Sequence, residues 1–189
     1  LEAARPHLEK LLDSEKESVG NAFMQLNQLL SRTADKAATL QLIQQLSQPY
    51  KAVPEVHFAI SQAAWFANQH SLALEEMQRA LALRPGWEIA AVHNGRILQR
   101  NSSTDAIEFY RDYLKNYPAA NEVRIAYIRL LIGDNQNDLA REQLQWLSEN
   151  NSEDAEIMLA VGLLATEMGD FDMTEKSLNK SLELSLIHI

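Results

Sequence analysis

The chain has 189 residues, 46% of them hydrophobic, which is ample to bury a core, and a formal net charge of -9 from 26 acidic and 17 basic residues. That balance repels polyanions and no basic cluster stands out locally, so nucleic acid is excluded as an expected partner. Lack of cysteine removes disulfides, thiolate metal sites and cysteine nucleophiles. The longest apolar run, residues 157–165, is far short of the roughly 20 residues of a membrane helix, so no membrane insertion by this segment is expected.

Gly (6) and Pro (5) are scarce, good helix formers recur throughout, and no run alternates Val, Ile or Thr in the manner of a strand. The patterning predicts eleven helices, beginning with 2–12 and then 15–31, the latter opened by the capping box Ser14-x-x-Glu17. Helices over 35–47, 54–68, 71–83 and 87–100 follow, and Pro85 ends the third of these. Next come 104–116, closed by Pro118, then 121–132, broken at Gly133-Asp134. The last three are 138–149, 155–168 and 172–184, with Gly169-Asp170-Phe171 as the final turn.

These helices repeat in pairs. The segment Ile60-Ser61-x-x-Ala64, followed by Ala73-x-x-x-Met77-x-x-Ala80 and Pro85, returns 33 residues later as His93-Asn94-x-x-Ile97, Ala106, Tyr110, Tyr113 and Pro118. Further shifts of 34 give Ala140, Leu144 and Leu147, then Thr174, Leu178 and Ser181; backwards lie Thr39, Ile43 and Leu46, and Ala4, Leu8 and Leu11. The small residues at 73, 106 and 140 let the second helix of each pair cross the first closely, where Ser61, Asn94 and Gly162 stand opposite. Ile128 takes that place in one pair, which is therefore expected to pack more openly.

This pattern resembles the tetratricopeptide repeat family, whose two-helix unit has this length and spacing. The resemblance implies an all-α protein, a right-handed α-solenoid of antiparallel helix pairs. Residues 1–13 read as the second helix of a truncated repeat and 14–53 as a degenerate repeat. Full repeats cover 54–86, 87–120 and 121–154, and 155–184 is a truncated one; 185–189 read as a non-native tail. The chain is accordingly expected to be part of a larger multi-repeat protein.

In this family the first helix of each repeat lines a concave groove. Carried over by register, that groove presents Met24 and Gln28, then Phe58, Gln62 and Trp65, then Ala91, Gly95 and Leu98. Ile125, Arg129 and Ile132 follow, then Leu159 and Leu163. The Lys and Asn clamp that some members use on a C-terminal carboxylate is missing, since Phe58/Gln62, Ala91/Gly95 and Ile125/Arg129 occupy those places. A largely apolar lining suits an amphipathic helix or an extended hydrophobic peptide. Its plainer reading is that neighbouring repeats bury much of it.

Glu55, Glu88, Glu122 and Glu156 recur at 33- and 34-residue spacing in the first turns of helices. They could form an acidic edge, but favourable interaction with the helix dipole, about 0.3–1 kcal/mol each, accounts for them more simply. The histidines make no metal-binding spacing, and His57 and His93 fall on core-facing positions. Asp134-x-Gln136-x-Asp138 lacks the glycine and closing glutamate of a calcium loop. Trp65, Trp87 and Trp146 lie near repeat junctions, where packing explains them. No nucleotide-binding or hydrolase motif is found, and no catalytic residue, metal, cofactor or small-molecule substrate is expected.

The reading is a protein-protein interaction scaffold, not an enzyme, whose partner is a protein or peptide. The alternative is the substrate-recognition arm of an enzyme, such as a glycosyltransferase, with its catalytic domain elsewhere. The stretches at 79–87 and 111–114 resemble long bacterial envelope proteins built of such repeats, which implies periplasmic or outer-membrane-associated placement.

Overall fold

A computed structural model of the protein describes residues 16–30, 32 and 34–187. The described residues are helical throughout, apart from short connections and a 3₁₀ turn at Gln48–Tyr50, and contain no strand. In chain order the helices are α1 (Lys16–Leu30), α2 (Lys36–Ser47), α3 (Pro54–Phe66), α4 (His70–Leu83) and α5 (Glu88–Asn101). They continue with α6 (Ser103–Asn116), α7 (Asn121–Gly133), α8 (Asn137–Asn150), α9 (Ala155–Glu167) and α10 (Phe171–Ile187). The helix expected over 2–12 and the cap at Ser14 lie outside the described residues. At the other end α10 runs to Ile187, where 184 was the expected limit.

The chain divides into two compact units, with the break between Leu98 and Gln99 inside α5. In the first, α3 packs on α4 and also against α1 and α2. Its core is built from residues such as Phe23, Ile43, Val56, Ala64, Ala73, Met77 and Ala80. In the second, α7 packs on α8 and α9 on α10, with α6 against α7 and α8 against α9. Leu131, Leu144, Leu147 and Leu164 are fully buried there, each such side chain adding about 1.5–3 kcal/mol to the driving force for folding.

Local chemistry sets the helix ends. The Asp35 carboxylate accepts the Ala38 N–H at 2.9 Å at the start of α2, and Ser102 does the same for Asp105 at the start of α6. Asp154 accepts two N–H groups, from Glu156 and Ile157, at 3.0 Å each. These satisfy donors that the first turn would otherwise leave orphaned. Helix α3 has no side-chain cap and begins instead with Pro54, whose fixed φ and missing N–H suit a first turn.

The turns inside three hairpins are built alike. Asn68, Asn135 and Gly169 adopt left-handed backbone, with φ of 60°, 60° and 74°, at equivalent repeat positions. After each, the next N–H reaches back to the carbonyl of Ala64, Leu131 or Ala165 at 2.8–2.9 Å, closing the helix with a six-to-one bond. The α7 break thus falls differently from expectation: α7 includes Gly133, and Asn135 makes the turn. Asparagine tolerates this conformation better than most residues, so the repeat does not require glycine there.

The crossings follow the small-residue pattern. Ala73, Ala106 and Ala140 are fully buried. The Ser61 hydroxyl donates to the Ala73 carbonyl at 2.6 Å, so α3 and α4 nearly touch backbones. A Cβ added at Gly162 would sit 2.6 Å from Leu178 Cδ2, which leaves no room for a side chain between α9 and α10. Where Ile128 replaces the small residue, α7 and α8 approach closely over a shorter stretch.

Two hairpins also carry a buried polar tie at matched positions. His57 Nε2 donates to the Lys51 carbonyl at 2.8 Å, and its Nδ1 lies 2.6 Å from Glu76 Oε2. Sixty-seven positions on, Arg124 donates to the Pro118 carbonyl at 2.9 Å and to the Gln143 side chain. The Arg124 guanidinium also stacks 3.5 Å from the Trp146 ring centroid. Burial lowers its pKa, yet a guanidinium stays charged under any ordinary condition.

Candidate functional site

Helix α3 is surrounded by α1, α2 and α4, so residues around most of its circumference are buried, Val56 through Ser61 consecutively. Its remaining face carries Gln62, Trp65 and Phe66. On α5, Ala90, Ala91, Asn94, Gly95 and Ile97 are buried, which leaves Ile89, His93 and Arg96 on the open side. Helix α1 contributes Met24, Gln25 and Gln28.

These side chains form two adjoining cavities within the first unit. The larger, about 420 Å³, is lined by Met24, Gln25 and Gln28 of α1, Phe58, Gln62 and Phe66 of α3, and Ile89 and His93 of α5. The smaller, about 170 Å³, lies among Ser61, Gln62, Trp65, Phe66, Met77, His93, Arg96 and Ile97. Gln62, Phe66 and His93 line both. Among the described residues no carboxylate lines either one, in a chain whose net charge is -9.

Each group on this face has a defined setting. Gln62 Nε2 lies 3.3 Å from His93 Nε2; with the amide donating, that ring nitrogen accepts and the ring proton is on Nδ1. Burial, helped by the nearby Arg96 charge, pulls the His93 pKa down to about 4, so the imidazole is neutral at physiological pH. The Trp65 ring meets the His70 ring edge-on at 4.9 Å. Phe66 and Ile89 expose 47% and 53% of their surface, and Lys36 Nζ stands 5.6 Å from the Phe66 ring centroid.

Of the residues expected on a groove, the structure brings Met24, Gln28, Phe58 and Gln62 around one cavity and Trp65 into the other. Phe58 is only 1% exposed. It forms the cavity floor, covered by Trp87 at 4.9 Å and His93 at 5.1 Å. Leu98 is half-buried and lines neither cavity. Of the other two expected on α5, Ala91 and Gly95 are buried. In the second unit, Ile125 and Ile132 are half-buried on α7 and Arg129 is exposed. Leu159 and Leu163 of α9 are 46% and 51% exposed.

Register alone missed Gln25, Phe66, Ile89 and Arg96, and it assigned His93 to the core rather than to a cavity wall. The four glutamates do fall in first helical turns, of α3, α5, α7 and α9. Glu55 is not an open edge: it pairs with Arg84 at 2.5 Å and lies against Gly20. Among the described residues no group of three or more His, Cys, Asp or Glu side chains could hold a metal ion, and no helix is long and apolar enough to cross a membrane.

Residues 58–121 match the tetratricopeptide repeat family. That segment carries the tetratricopeptide repeat. The chain's helical-repeat fold is shared with MamA of Desulfovibrio magneticus RS-1, at 17% identity and a TM-score of 0.56 over 88% of this chain and 94% of that one. PilW, described as a widely conserved type IV pilus biogenesis factor, is similar with a TM-score of 0.59 and 14% identity, covering 88% of this chain and 78% of its own. YrrB, described as having an unusual peptide-binding site, gives a TM-score of 0.52 at 13% identity over 94% and 91% of the two chains. No curated protein matches the chain.

Proposed function

We propose that the face formed by α1, α3 and α5 holds a peptide or helix of a partner protein, and that the chain is part of a larger multi-repeat protein. The observation that carries this is the alignment of side chains from three successive first helices around two contiguous cavities that have no carboxylate among their described lining residues. Apolar side chains exposed beside a few polar groups are the composition of a peptide-binding groove. The peptide-binding site named for YrrB supports the same use of the fold. Within the second unit, Arg129, Leu159 and Leu163 are exposed on first helices and are proposed as contacts of that unit by itself.

The test is capture of a partner by immobilised chain, run beside thermal denaturation, for Trp65→Ala and Arg129→Ala. Interface aromatics and arginines often contribute about 2 kcal/mol or more when truncated. Lost capture with an unchanged melting temperature is the expected outcome. If Trp65→Ala mainly lowers the melting temperature and Arg129→Ala changes nothing, the partner surface lies elsewhere. Placement in the bacterial envelope is proposed as well, supported by the similarity of PilW, a pilus biogenesis factor; cell fractionation tests it, and a purely cytosolic distribution overturns it.

A further inference from the structure

Resting on the groove reading, we infer that the smaller cavity is an anchor subsite, taking one leucine-sized apolar side chain of an acidic partner peptide whose adjacent carboxylate is held by Arg96. The cavity's volume of about 170 Å³ is several times the roughly 30 Å³ a water molecule takes up in the liquid. Met77 and Ile97 supply apolar floor, and Trp65 and Phe66 supply aromatic wall. That lining rewards an apolar side chain and gives nothing to a charged one inserted into it.

Charge decides what flanks the anchor. Arg96 is exposed at the cavity rim, and among the described residues it has no ion-pair partner. Lys36 Nζ stands 5.6 Å from the ring centroid of Phe66, which lines the cavity. Among the described residues no carboxylate lines either cavity. An acidic peptide meets at Arg96 a guanidinium suited to bidentate carboxylate binding.

The experiment is an NMR titration of the ¹⁵N-labelled full chain with three end-blocked hexapeptides, Gly-Ser-Leu-Asp-Ser-Gly and its Leu-Asn and Ala-Asp analogues. The expected result is shifts at the Trp65 indole N–H and the Ile97 amide, with Leu-Asp at least about fivefold tighter than either analogue. In Arg96→Gln, Leu-Asp and Leu-Asn should bind alike while both still exceed Ala-Asp. Equal binding of Leu-Asp and Leu-Asn by the unaltered chain overturns the inference, as does the absence of any shift with all three at millimolar concentration. Shifts confined to α1 and Ile89 would discard the subsite but keep the groove. Shifts of Trp65 and Ile97 on raising the chain concentration alone would assign the cavity to a second copy and overturn the acidic peptide.

Discussion

The hairpins α3/α4 and α7/α8 occupy equivalent positions in their repeats, yet they are held together differently. In the first, Ser61 crosses Ala73 so closely that its hydroxyl bonds the opposite backbone. In the second, Ile128 fills the crossing and is itself fully buried. Their polar ties differ in the same way. His57 and Glu76 join an imidazole to a carboxylate, reinforced by Arg79 on the other carboxylate oxygen at 2.7 Å, while Arg124 and Gln143 join a guanidinium to a neutral amide. Position in the repeat thus determines that a side chain must bridge two helices, and residue identity determines by what chemistry.

The most severe break in this comparison is exchange at the crossing. Ser61→Ile should cost about 3 kcal/mol or more, combining overpacking with loss of the hydroxyl bond. Ile128→Ala should cost about 3 kcal/mol for the opposite reason, an unfilled cavity. Thermal denaturation reads both, at about 2–4 °C per kcal/mol for a chain of this size. If Ser61→Ile is tolerated, the close crossing is not what positions α4.

Equivalent positions also separate the two units by pH. His93 and Tyr127 stand 34 residues apart, and burial lowers the first pKa to about 4 and raises the second. Below pH 6.5 the unfolded chain binds a proton that folded His93 refuses. Stability therefore falls as pH drops from 6.5 to 4 and levels off below, by at most about 3 kcal/mol from this group. Tyr127 contributes nothing in that window. His93→Gln should flatten the pH dependence of the melting temperature between 4 and 6.5, and an unchanged slope would contradict the assignment.

The polar ties come next. Arg124→Met leaves the Pro118 carbonyl and Gln143 without their donor and should cost about 2 kcal/mol. His57→Phe should cost less, about 1 kcal/mol, because Arg79 still holds Glu76. The sharper version is a graft: His57→Arg with Glu76→Gln should keep stability within about 1 kcal/mol if the two ties are interchangeable. The smallest effect is at the helix starts. Asp154→Ala should destabilise α9 by about 1 kcal/mol, whereas Val53→Asp should stabilise the uncapped α3 by up to about 1 kcal/mol.

Most of this architecture was legible in the sequence, because repetition at 33 and 34 residues places the buried alanines and the large residues that follow them. The described helices fall within about three residues of the expected limits. The site was legible only in part. Register identified Met24, Gln28, Gln62 and Trp65, which do line cavities. It also named Phe58, which lines the larger cavity but is almost wholly buried, and could not show that Trp87 and His93 close over the ring. Phe66 and Arg96 were missed because exposure there depends on how neighbouring helices pack, not on position in the repeat. The His57–Glu76 tie joins side chains 19 residues apart on different helices, a distance at which no local pattern signals contact.

The most direct test of the binding face is Phe66→Asp, measured for melting temperature and partner capture on the same preparation. Phe66 is 47% exposed, so the fold should tolerate the change with a shift of only about 2–4 °C. A carboxylate would then stand at cavities that have none among their described lining residues, and capture should fall about tenfold or more. Unchanged capture, or a loss that only tracks a large drop in melting temperature, would contradict the assignment of this face to a partner.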